Sequence, residues 1–451
     1  MKTSPILRLL VMAVLLVGLQ APITMMCGVV SERTSRRDAV ANEVAGNWGD
    51  AQVIGGPVLT IPYRYVWEDA EGKPKAQVTP GIAYYHLLPE DLEITGNLES
   101  SERRRTIFKV IVYTTHLKVR GRFPTPSLTD VRAMPNGILW DQATVNVGIT
   151  DPKGISRPIT LTWNGQPQTF VPGIRRNVMF ESGVHAPAPG VSADRTDPLR
   201  FEFDLDLRGT SQIRFIPSGN ETTVRLSSPW PHPSFTGMPP ETPRIDAQGF
   251  EAVWRVPYFG RGFPPAWKTG EVGQEPSIGQ PAMNAAFGVS LLQPIDLYVQ
   301  TDRATKYAAL FIVMTFVIAF LWEIMGSALV HPIQYLFVGF ALCVFYLLLL
   351  SLAEHVGFDV AYVLAAAAIV ILLAWYWSWV LSGRRQGVVM GAVLTALYGY
   401  LYLLLRLEDY ALLAGSIGVF VMLAIVMFLT RRVNWFELRL GGGAAPTTIK
   451  T

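Results

Sequence analysis

Cysteine is nearly absent. The chain has two, Cys27 and Cys343, both inside apolar runs. That excludes a disulfide-built secreted scaffold, and thiols in such surroundings are expected to be buried and inert, not bridged. Charge is scarce as well: Asp, Glu, Lys and Arg make up 16% of the 451 residues, against about 25% in ordinary soluble domains. The net charge is only +3. A disordered chain and a polybasic nucleic-acid binder are both excluded. Local signatures of catalysis are missing too. No HxxxH, HExxH or CxxC spacing offers a metal site. No GxSxG elbow, Walker loop or GxGxxG fingerprint appears. The histidines, His86, His116, His185, His232, His331 and His355, are dispersed. No cofactor is expected, and no catalytic residue is assigned.

What is present is apolar length. A spanning helix needs roughly 20 apolar residues to cross about 30 Å of hydrocarbon. One such run lies between Ile6 and Val30, and nothing comparable follows until Tyr307. From there to Thr430 five further spans are predicted, at about 307–325, 335–353, 360–381, 387–405 and 411–430. The first run is longer than a signal-peptide core of roughly 7–15 residues, and its small-x-small cleavage pattern is poor, so it reads as a retained anchor. Arg384 and Arg385 between spans four and five, with Arg431, Arg432, Arg439 and Lys450 after span six, mark cytoplasmic ends. Both termini are then cytoplasmic, and the long polar segment lies outside. Arg33, Arg36 and Arg37 just beyond span one run against that rule, but large segments translocate largely regardless of charge.

That segment reads mostly with period two. Phe201 to Arg208 alternates apolar and charged residues without a fault, as a half-buried strand does. Strands are also predicted over 108–119, 144–149, 158–163, 213–216, 223–226 and 250–256, with Gly/Pro-rich punctuation between them. A β-rich, sandwich-like domain follows, of one lobe or two. Ser31 to Trp48 is the exception: Arg33, Arg36 and Arg37 share one helical face, and Val40, Val44 and Trp48 recur at four-residue steps. This helix is expected to continue span one outward. Its arginines suit lipid phosphates, or a solvated face with Glu32 and Asp38 as partners.

Ionisable groups near the bilayer are costly and often functional. The candidates are Glu323, His331, Glu354, His355 and Arg406, with Glu408 and Asp409 beside the last. Interfacial anchoring is the leading expectation for them, ahead of ion pairing between helices and of a proton path. A Glu354–Arg406 pair is the specific expectation. Trp375 to Trp379 reads as an aromatic belt.

Several long strings occur in order. They are Gly56-Pro-Val-Leu-Thr-Ile-Pro-Tyr63, Val147-Gly-Ile-Thr-Asp-Pro-Lys-Gly-Ile155, Asp206-Leu-Arg-Gly209 and Ser228-Pro-Trp-Pro-His-Pro-Ser-Phe-Thr-Gly237. His331-Pro-Ile-Gln-Tyr-Leu-Phe-Val-Gly339 and Phe345 to Phe358, which holds Glu354-His355, follow in the apolar half. Together these closely resemble the CreD family of bacterial inner-membrane proteins, also called cell envelope integrity proteins. The resemblance runs from the first span to about Arg431; Ala353 stands where a serine is expected. It implies an inner-membrane location, a periplasmic domain and a part in envelope integrity, with altered levels changing colicin tolerance and β-lactam response. The family has no established catalytic residues, so none is carried over.

The expected protein is therefore an α+β membrane protein. It has an anchor helix at 1–30, a periplasmic β-rich domain at 31–305, a five-span bundle at 306–431 and a cytoplasmic tail at 432–451. A non-enzymatic envelope role is expected, with the bilayer and an unidentified periplasmic or envelope partner. A transporter built on the bundle and an envelope hydrolase are the alternatives.

Overall fold

The computed structural model describes residues 5–65, 81–128, 131, 133–175, 179–271, 276–291, 297–325, 330–381, 383–407 and 410–431. The tail at 432–451, with Arg432, Arg439 and Lys450, and the turn residues Glu408 and Asp409 lie outside them. The chain forms two compact units, one of residues 1–37 with 295–451 and one of residues 38–294.

The helices are α1 (Pro5–Gly18), α2 (Gln20–Trp48), α3 (Gly279–Asn284), α4 (Leu297–Lys306), α5 (Ala308–Met325), α6 (Pro332–Val356), α7 (Phe358–Val380), α8 (Arg384–Arg406) and α9 (Ala411–Thr430). Among the described residues five helical stretches are long and apolar enough to cross a membrane, and six if α4 and α5, bent by 44° at Tyr307, form one broken span. The predicted spans and these helices agree closely. The difference is α4, which lies inside the segment expected to be β-rich. Its inward face carries Tyr298, Thr301, Ala304 and Thr305, small and polar residues that give no apolar run for a hydropathy window to detect.

In the membrane unit the helices meet through small residues, which let backbones approach closely. A side chain at Gly387 would collide with Ala374 and Ser378 on α7, and one at Gly339 with Leu19. The Tyr362 hydroxyl donates to the Tyr398 carbonyl across α7 and α8 at 2.6 Å. His331 caps α6. Its Nδ1 accepts from the Ile333 amide while the Gln334 side chain accepts from the His331 amide, with Pro332 at the first helical position. The outer helix, α9, has no buried residue. It is held near its start, where the Tyr400 hydroxyl donates to the Ala414 carbonyl at 2.6 Å.

In the β unit two sheets enclose one core. Ten strands form the first sheet and eight the second, among the described residues. The first is organised on Gln52–Tyr65, a buried strand that pairs antiparallel with Gly81–Leu87 and Thr144–Ile149 and parallel with Gln212–Phe215. The second is dominated by the hairpin Asp91–Arg105/Phe108–Phe123, in register along its length and closed at Thr106, whose φ is 57°. Leu199–Thr210 pairs with the hairpin's second strand, its side chains alternating buried and exposed as the sequence pattern required. Leu59, Val145, Ile213 and Val289 of the first sheet share a core with Leu117, Phe203, Leu205 and Trp254 of the second. Apolar side chains on alternate positions of both sheets are thereby removed from water at once. The end of α2 belongs to this unit. Trp48 lies between the Arg103 and Arg208 guanidiniums, and its indole N–H donates to the Tyr113 carbonyl.

Candidate functional site

Among the described residues of the membrane unit, Glu354, Arg406 and Glu323 each sit in a polar cluster of their own. In the first, Glu354, near the end of α6, accepts a hydrogen bond from the Tyr298 hydroxyl at 3.2 Å. The Arg33 guanidinium lies 3.7 Å from the same carboxylate oxygen, and Arg37 stands over the Tyr298 ring. The Glu354 side chain is 8% exposed. In the second, Arg406 meets Asp359 at 2.5 Å, and both contact the Tyr402 hydroxyl. The expected Glu354–Arg406 pair is therefore wrong: each residue has a different partner. The reason is helical geometry. Arg406 and Tyr402 are four residues apart on α8 and face Asp359 in the first turn of α7, whereas Glu354 faces α4 and α2.

The third cluster is internal. Glu323, expected at an interface, is 6% exposed and accepts from the Tyr335 hydroxyl at 3.0 Å. Tyr335 packs edge-on to Trp377, which is buried, while Trp375 and Trp379 face outward. Of the belt expected at 375–379, the two outer indoles are exposed and the middle one is core. His355 is exposed and its Nδ1 lies 3.0 Å from the Ser351 carbonyl one turn back. Of the proposed phosphate contacts, Arg36 pairs with Glu32 at 2.8 Å, as the solvated-face reading held, and Arg33 and Arg37 join the first cluster. Sequence reasoning missed Tyr298, Asp359 and Tyr402. Their signal, a polar atom at each end of an apolar helix, is common to many interfacial residues.

The histidines of the β unit have structural partners. His86 is fully buried between the Thr60 and Thr269 hydroxyls, 2.9 and 2.8 Å away, and stacks on Trp267. Burial lowers its pKa to about 3, so the ring is neutral at any physiological pH. His116 Nδ1 lies 2.6 Å from Asp206, which also meets Arg157 at 3.4 Å. His185 Nδ1 meets the Gly173 carbonyl, and His232 packs edge-on to Trp230. Among the described residues no group of three His, Cys, Asp or Glu side chains is placed to hold a metal.

Larger cavities line two surfaces of this unit. One, of about 540 Å³, is walled by Met179, Phe180, Glu181, Ser182, Gln280 and Met283. Phe180 lies flat on Gly55 and Gly148, where any Cβ would strike its ring. The other, of about 630 Å³, runs over the exposed face of the eight-stranded sheet, with Asp91, Glu93, Arg120, Arg122, Arg200 and Arg225 in its walls. Partial burial disfavours the Glu93 charge, but hydrogen bonds and charge from Arg120 and Arg225 outweigh it and lower the pKa. Glu93 is thus a fixed anion between two cations.

The sequence profile described as inner membrane protein CreD matches residues 4–436. The chain is 33% identical over 422 residues to the inner membrane protein CreD of Escherichia coli K12, covering 93% of this chain and 91% of that one. The chain belongs to the CreD family. It is an inner membrane protein, as the resemblance implied, and its apolar helices place it in a lipid bilayer. Two solved structures of M1 zinc metallopeptidases were also matched. One, from Deinococcus radiodurans, is 13% identical with 39% of this chain and 40% of that chain covered, at a TM-score of 0.17. A two-domain form bound to L-tryptophan is 14% identical, with 39% and 42% covered, at the same TM-score. The chain spans less than half of those enzymes. A likeness this slight carries no argument about fold or chemistry for this CreD-family chain.

Proposed function

We propose that this CreD-family protein supports envelope integrity and the response to envelope stress without catalysing a reaction, by holding an envelope partner on its β unit. The observation that carries the reading is the charged groove over 91–93, 120–122, 200 and 225. Its arginines and carboxylates alternate, and Glu93 is fixed between Arg120 and Arg225. Such a surface suits a partner with both signs of charge and not a polyanion, which needs a basic stripe. The histidines that a hydrolase would draw on as bases are engaged in packing and local pairs. Against transport, Glu323, Glu354 and Arg406 sit in three separate clusters, each with partners of its own.

The same reading places the β unit in the periplasm and both termini in the cytoplasm. It is supported by Arg384, Arg385 and Arg431 at one end of the bundle and by the even count of six spans among the described residues when α4 and α5 are taken together. The test is capture from envelope extracts by the full-length protein. Wild type is expected to retain a partner that Arg120→Glu/Arg225→Glu loses, with loss of envelope phenotype in cells. Equal capture and phenotype would overturn the reading. A reporter fused near Gly154 that proves cytoplasmic would overturn the topology.

A further inference from the structure

Helix α9 lies close to α8 along one half only. Near its start, Gly418 admits the Tyr400 hydroxyl so closely that a Cβ there would lie 2.1 Å from it. Beyond that contact the helices part. A crevice of about 750 Å³ opens between α5, α8 and α9, lined on its three sides by Leu321 and Trp322, by Met390 and Val393, and by Ile425 and Leu429. Its walls are apolar except for the Trp322 indole and, at one end, Gln386. The volume is in the range of about 300–1,000 Å³ that ligand pockets occupy.

The depth of the crevice decides between occupants. On α8 it reaches from Gln386 to Leu397, which at about 1.5 Å per residue is some 16 Å. That is about half of a 30 Å hydrocarbon layer. A helix from a second copy would need a groove through both leaflets, whereas an acyl chain occupies one. The polar end carries the second argument. Arg384 and Arg385 open α8 directly before Gln386, and Arg431 caps α9 two residues after Leu429. All three are exposed. Among the described residues neither Arg384 nor Arg385 has a carboxylate partner.

We propose that this crevice binds one acyl chain of an anionic phospholipid, taken from the leaflet at the Arg384–Arg385 end, with the lipid phosphate at those two arginines. Guanidinium groups recognise phosphate oxygens through paired N–H donors. The apolar walls exclude water from the chain, and the Tyr400–Ala414 contact keeps the far half of α9 closed and so fixes the depth.

The test uses the full-length protein in nanodiscs of equal phosphatidylglycerol and phosphatidylethanolamine, released into the gas phase for native mass spectrometry. Wild type is expected to retain phosphatidylglycerol about five- to thirtyfold over phosphatidylethanolamine, the range set by one or two arginine contacts. Arg384→Gln/Arg385→Gln is expected to retain both lipids equally. Ile425→Trp or the milder Ala396→Leu, which fill the crevice, is expected to retain neither, with the thermal unfolding midpoint unchanged. Equal retention of the two lipids by wild type overturns the proposal. So does an unchanged lipid load in a filled variant that folds. A dimer mass in wild type that a filled variant converts to monomer would assign the crevice to a second copy instead.

Discussion

His86 makes acid sensitivity of the β unit predictable. Its ring is fully buried, bonded to Thr60 and Thr269 and stacked on Trp267. Its pKa is lowered from 6.5 to about 3 by burial. In the unfolded chain the ring regains its ordinary value, so between those limits the unfolded state binds the proton and the folded state does not. Stability from this site is therefore fully present above pH 6.5 and lost as the pH falls towards 3. Integrating the two titrations gives a loss of about 2 kcal/mol between pH 7 and pH 5. His86→Gln removes the titration and the ring stacking. At pH 7 it is expected to cost about 1–3 kcal/mol, from hydroxyl groups left poorly paired. The gap between the two proteins should then narrow by about 2 kcal/mol on moving to pH 5. Urea-dependent pulse proteolysis of the full chain in mild detergent, at pH 7, 6 and 5, measures both curves. A gap that stays constant across that range would show that His86 does not titrate on unfolding, and the reasoning would fail.

Other consequences are shorter to state. A double-mutant cycle on Arg33 and Glu354 should show coupling of about 0.2–1 kcal/mol, since Arg33 is well exposed; the Glu354 and Arg406 substitutions should instead be additive in the same thermal assay. His331→Ala should destabilise the start of α6 by about 1 kcal/mol, read as faster hydrogen exchange over its first turn, and His331→Ser should restore protection. Gly148→Ala would place a methyl 2.2 Å from the Phe180 ring, so a stability loss of about 1–3 kcal/mol is expected in the proteolysis assay. Leu205→Ala, in the shared core of the two sheets, should cost about 2–5 kcal/mol there. A cost below 1 kcal/mol would show that the sheets do not share that core.

The helices from Ala308 to Thr430 and the strand at Leu199–Thr210 were readable from the sequence because the forces that set them are local. The bilayer fixes a length of apolar chain, and a half-buried strand fixes a period of two. The two outer tryptophans of 375–379 follow from the same local rule. The cap of α6, His331-Pro332-Ile333-Gln334, is equally local, but the expectation there was only of an interfacial histidine, and the structure revealed the cap. Tertiary structure alone decided the rest. Gln52–Tyr65 carries no strict alternation because both its faces are buried, and its parallel partner lies over 150 residues away. Glu354 took Arg33 and Tyr298 where Arg406 had been expected, and α4 buries threonines that no apolar window registers. Local sequence sets how each segment folds. The partner of a charge or of a strand edge depends on contacts distant in the chain, where only the assembled packing determines which group removes the cost of burial.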